Sequence, residues 1–139
     1  MKIGIALLVL VIALAAAVVP ATEKDSVSKA QEAATAWLAL VDHGSYAASW
    51  DKASSIFQSA ISQSGWESAL KSVRAPLGQV KSRKLKSATY TKTIPGAPEG
   101  EYVVIQYETE FANKPGAIET VTPMREKDGS WKVSGYFVK

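Results

Sequence analysis

The chain has 139 residues, a formal net charge of +3 and no cysteine. Without cysteine there are no disulfides, thiolate catalysis, cysteine-ligated metals or lipoprotein anchor, so the fold stands on its core alone. The small charge, which loss of Lys2 would lower to +2, argues against nucleic acid as a partner.

The first element is an uncharged apolar run from Ile3 to Val19, preceded by Lys2 and followed by Val19-Pro20-Ala21. This is the pattern of a secretory signal peptide, with cleavage expected after Ala21. The alternative is a retained anchor, because about 17 to 25 apolar residues cross a bilayer and this run sits at the short end. The expected organisation is a signal over 1–21 and one α+β domain over 22–139, periplasmic or secreted, touching membrane only if the segment is uncleaved.

From Asp25 to Gly44, Val27, Ala30, Ala34, Trp37 and Val41 follow three-and-four spacing, which predicts an amphipathic helix. Asp25 or Ser26 caps its start, and Gly44 supplies the left-handed residue at its end. A second helical stretch begins at Ser45, with Tyr46, Trp50, Ala53 and Phe57 on one face and a break at Ser54-Ser55. In a third, Ser64-Gly65-Trp66-Glu67 has the capping-box pattern, and the helix runs to about Arg74, before Pro76 and Gly78.

After Gly78 the apolar period becomes two, and four strands follow, separated by IPGAPEG, NKPG and DG turns. A turn over Asn113 to Gly116 would place Ile105, Tyr107, Thr109 and Phe111 on the same face as Met124, Thr122, Thr120 and Ile118. A two-residue Asp128-Gly129 turn would set Met124 opposite Val133, Thr122 opposite Gly135 and Thr120 opposite Phe137. The expected fold is α+β, with N-terminal helices packed on one face of a four-stranded antiparallel meander.

Several short strings, taken together, resemble a known family. They are Trp37-Leu38-x-Leu-Val-Asp42-x-Gly44-x-Tyr46, Ser49-Trp50, Trp66, Pro76-Leu77-Gly78-x-Val80, Arg83-x-Leu85, Pro95-Gly96-Ala97-Pro98-x-Gly100-x-Tyr102-Val103-Val104-Ile105, Glu119-Thr120 and Asp128-Gly129-x-Trp131-x-Val133-x-Gly135-Tyr136. The combination resembles the bacterial domain of unknown function 4019 over nearly all of 22–139. The resemblance implies a small exported protein whose helix-then-sheet order is similar to the cystatin-like and NTF2-like cone folds. It implies no reaction and no catalytic residue.

The stretch Trp37 to Ser54 holds the single histidine, two aspartates and three aromatics. Packing at a helix corner across Gly44 accounts for the aromatics, with a ligand-stacking platform at Trp50 as the alternative. Asp42 and His43 are helix neighbours about 100° apart, a poor arrangement for an acid–base pair. One histidine and no cysteine leave carboxylates for a metal, and no Asp-rich loop of calcium-binding spacing appears, so neither metal nor cofactor is expected.

Between Glu67 and Glu99 every charged residue is basic: Lys71, Arg74, Lys81, Arg83, Lys84, Lys86 and Lys92. Cross-strand pairs of Lys86 with Glu108 and Lys84 with Glu110 would consume part of this run; the alternative is an anion or anionic-lipid surface. Glu108, Glu110 and Glu119 are read on the outer face. Arg83 points inward near Phe111, where it would clamp a carboxylate or phosphate. A pair with Glu119, or a solvent-facing arginine at a strand end, is the commoner arrangement. Inward threonines and Tyr107 leave room for a pocket between sheet and helices.

These readings lead first to a non-enzymatic binding module for a small molecule, peptide or envelope protein, with Arg83, Tyr107 and Trp50 as ligand contacts. The alternatives are a cofactor-free NTF2-like enzyme using Asp42, His43 or Tyr46, and a membrane-anchored subunit of an envelope assembly. Strand edges leave a homodimer open.

Overall fold

The computed structural model describes residues 22–139, so the signal-peptide reading lies outside the described residues. Helix α1 (Glu23–Asp42) starts earlier than the apolar pattern suggests, because Thr22 and Asp25 form a reciprocal cap. The Asp25 N–H donates to Thr22 Oγ1 at 3.2 Å and the Thr22 N–H to Asp25 Oδ2 at 3.4 Å, satisfying two otherwise free amides. Ala30, Ala34, Trp37, Leu38 and Val41 form its buried stripe, and Gly44 turns the chain with φ of 78°.

The next helical stretch divides at Ser54 into α2 (Tyr46–Asp51) and α3 (Ser55–Ala60). Ser54 both caps α3, accepting from the Phe57 N–H, and donates its own N–H to Val133 O at 2.8 Å, fastening the break to the sheet. Helix α4 (Gln63–Leu77) is capped by Ser62, whose hydroxyl accepts from the Gly65 N–H. Ser64 and Glu67 therefore sit inside the helix and do not form the expected box. The helix also continues past the expected stop and carries Pro76 in its last turn. Asn113 makes this ending tenable by donating to the carbonyls of Pro76 and Leu77.

Four strands, β1 (Val80–Thr91), β2 (Tyr102–Phe111), β3 (Lys114–Arg125) and β4 (Trp131–Val138), form an antiparallel sheet in the order β1-β2-β3-β4. The helices lie across one face and share a core with it that includes Trp37, Leu38, Phe57, Trp66, Leu70, Val103, Ile105 and Val121.

The β2–β3 turn is tighter than expected. Phe111 pairs with Lys114, leaving Ala112 and Asn113 as the turn, and Tyr107 stands opposite Glu119 and Ile105 opposite Val121. The shorter turn by itself would keep the expected faces, but a bulge between Thr109 and Phe111 adds one residue to β3, and an odd offset exchanges the faces of a strand. Ala117, Glu119 and Val121 thus point to the helices, while Thr120 pairs with Gln106 and Phe137 on the other face. In the β3–β4 hairpin Thr122 faces Gly135 and Thr120 faces Phe137 as read, but an irregularity between Thr122 and Pro123 sets Val133 opposite Pro123. Proline lacks the ladder donor, which suits a bulge there.

In the β1–β2 hairpin Lys84 faces Glu108 rather than Glu110, and Arg83 faces Thr109 rather than Phe111. That offset of two keeps Arg83 on the inner face. The Lys84–Glu108 pair closes at 3.4 Å, and Lys86 falls at the register shift between Leu85 and Ser87.

Candidate functional site

Glu119 is the residue around which the polar interior is built. Its side chain is 0% exposed, contrary to its expected outer position, because the bulge between Thr109 and Phe111 turns β3 over by one residue. A carboxylate this deep is tolerated only if its oxygens are bonded. Arg83 Nε donates to Oε1 at 2.7 Å and Nη2 to Oε2 at 3.1 Å; the Thr109 hydroxyl donates to Oε1 and the Tyr136 hydroxyl to Oε2, both at 2.5 Å.

The other edge of Arg83 holds Asp42 from the last turn of α1, through Nη1 to Oδ2 at 2.8 Å and Nη2 to Oδ1 at 3.1 Å. Asp42 Oδ1 also accepts from Arg74 Nη2 at 2.9 Å. The result is a chain of alternating charge, Arg74–Asp42–Arg83–Glu119. Arg74 is itself buried, with its guanidinium 5.0 Å above the Phe111 ring. Among the described residues its Nε and Nη1 have no partner.

The charges tune one another. Burial alone would raise the Asp42 carboxyl, but the hydrogen bonds and charges of Arg83 and Arg74 outweigh it and hold the group below its ordinary value. Burial would lower Arg83, yet Asp42 and Glu119 overcome that penalty and raise it. The Tyr136 hydroxyl is pushed up by burial and then by the charge of Glu119, which keeps it a donor. The network is thus a set of matched pairs. A carboxylate held below its ordinary value accepts protons poorly at neutral pH.

Two of the three expected ligand contacts come together. Arg83 and Tyr107 line a cleft of about 220 Å³ with Thr35, Leu38, Ala39 and Asp42, where α1 crosses β1 and β2. Trp50 is not among its lining residues; it packs against the core and donates its indole N–H to Ile61 O at 2.8 Å. Asp42, His43 and Tyr46 share a second, shallower cleft with Arg74 of about 290 Å³, in which His43 is exposed.

The aromatics around Trp50 pack as a corner. Trp37 and Trp66 direct their indole N–H groups to Ser49 O and Oγ at 2.8 and 2.9 Å, and Phe57 meets Trp66 edge-on at 4.7 Å. Among the described residues no group of three or more acids and histidines is placed to hold a metal.

Sequence reasoning offered the Arg83–Glu119 pair, which the structure shows, but missed that Asp42, Arg74, Thr109 and Tyr136 join it in one constellation. The signal available was that Ala117, Glu119 and Val121 alternate, so a bulge at Gly116, next to the turn, would bury the acid.

The family profile described as "Protein of unknown function (DUF4019)" matches residues 33–136. The chain belongs to the DUF4019 family. The matched span holds every member of the DUF4019 protein's charge network, from Asp42 to Tyr136. No curated protein and no solved structure matches the chain.

Proposed function

We propose that this DUF4019 protein is exported, that residues 1–21 are removed as a signal peptide, and that residues 22–139 form a single periplasmic or secreted domain. Its function is non-enzymatic binding of a small molecule, peptide or envelope protein. The apolar run before Pro20-Ala21 supports export. The observation that carries the binding reading is the cleft between α1 and the sheet lined by Tyr107 and Arg83; the two edges of Arg83 are taken by Glu119 and Asp42, so it borders the cleft rather than clamping an anion there. The acids facing the interior are locked in pairs, which suits a rigid scaffold better than proton transfer. Recognition then belongs to the surface, where the Arg83–Tyr107 cleft offers a phenol and the rim of an ion pair.

Native mass spectrometry of the protein gently isolated from its own envelope tests this. A chain beginning at Thr22 and carrying a small species, or co-isolating with one protein, is the expected result, and Tyr107→Ala should reduce the occupancy. An uncut chain held in a larger membrane assembly would replace the reading with an anchored subunit. The acid–base alternative gains from the cleft joining Asp42, His43 and Tyr46; turnover of a co-purified ligand that stops in Asp42→Asn would establish it.

A further inference from the structure

The side of α1 that faces β4 holds a different kind of surface. Ala33, Ala36, Trp37 and Leu40 of α1 and Trp131 and Val133 of β4 line a groove of about 370 Å³. Alanines at two of the four α1 positions leave space that a larger side chain would fill, and Leu40 and Trp131 stay half-buried along it. That size lies within the range of small-molecule sites.

The polar groups of the groove share one sign. Lys52, just after α2, and Lys132, on β4, complete the lining. Neither lysine is in an ion pair among the described residues. The acids nearest in sequence are otherwise engaged: Asp51 accepts from Gln63, Glu126 from Ser55 and Asp128 from Ser130. Trp131 adds a donor. The indole N–H groups of Trp37, Trp50 and Trp66 all have protein acceptors, whereas that of Trp131 has none among the described residues.

An apolar trough with two uncommitted ammonium groups and a free indole N–H complements a molecule with an alkyl body and an anionic head. We propose that this groove binds a single-chain amphiphile bearing a carboxylate or phosphate, with the chain along Ala33, Ala36 and Leu40 and the head between Lys52 and Lys132. Burial of each methylene supplies about 0.8 kcal/mol, so the chain gives affinity. The lysines give the preference for an anion. The inference deepens the binding-module reading and rests on it.

The test uses protein purified from cells expressing the full chain, titrated below micellar concentrations with decanoate, decyl phosphate and uncharged decanol. Tryptophan fluorescence follows affinity, and the Trp131 indole N–H resonance locates the site. Saturable binding of one or both anions at least tenfold tighter than decanol, with the Trp131 resonance moving, is expected; the better anion tells a fatty acid from a lysophospholipid head. The Lys52→Gln/Lys132→Gln protein, which changes only surface charge, should lose that tenfold preference while still binding decanol. Equal affinity for decanol and both anions, an undiminished preference in the double variant, or resonance changes confined to the Arg83–Tyr107 cleft would overturn the assignment. Failure of all three probes beside a different ligand in the native mass spectrum sinks the groove assignment alone. Failure of both experiments sinks the binding module as well.

Discussion

Arg83 presents two edges on which a carboxylate can sit side by side, and acids from different elements fill both. Removing the guanidinium leaves Glu119 buried without its main counter-charge. Arg83→Ala should therefore cost about 3–5 kcal/mol in urea unfolding. Tyr136→Phe removes one charge-assisted donor to the same carboxylate and should cost about 1.5–3 kcal/mol, read in the same way. Asp42 gives the network its pH dependence. Its folded pKa lies below its ordinary value, so its stabilisation is complete above about pH 4, the unfolded carboxylate value, and disappears as pH falls through the folded value. The urea midpoints of the wild type and Asp42→Asn should thus differ at pH 7, and the difference should shrink as the pH is lowered below about 4.

At the scale of elements, the two serines at the start of α4 separate the sequence pattern from the structure. Ser62→Ala removes the observed cap and should destabilise by about 1 kcal/mol, whereas Ser64→Ala should lie within about 0.5 kcal/mol of wild type, both by thermal unfolding. The helices themselves were legible, because Ala30, Ala34, Trp37 and Val41 mark a face without reference to anything distant. The α4 ending was not, since Asn113 supplies its donors from another element. The same separation explains the sheet. Four strands and their order followed from alternation and turn residues, but neither a turn at Ala112-Asn113 nor one at Asn113–Gly116 announces the bulge that follows it between Thr109 and Phe111. That bulge decides whether Glu119 or Thr120 faces inward. Arg83 was legible as an inward cation because its hairpin erred by two residues, which preserves the face; Glu119, though named as a partner for Arg83, was put on the wrong face because its hairpin erred by three.

At the scale of the whole molecule, helices and sheet are joined by apolar packing around Trp37, Trp66 and Ile105 and by the ion chain around Arg83. No helix among the described residues is long and apolar enough to cross a membrane. Because helical and sheet residues share the core, far-ultraviolet dichroism and tryptophan fluorescence should report one coincident urea transition. An early loss of helix signal with the sheet intact would show that the layers separate.

The ion chain takes one residue each from α4, α1, β1 and β3, and hydroxyls from β2 and β4. Its links join residues 32, 41 and 36 positions apart, so no short segment can assemble it. The sheet alone supplies Arg83, Glu119 and both hydroxyls, and α1 and α4 complete the chain with Asp42 and Arg74. The completed network buries Arg74 and Glu119 while Asp42 and Arg83 stay partly open to water, so an arrangement in which only half of the charges have met their partners leaves a buried charge uncompensated.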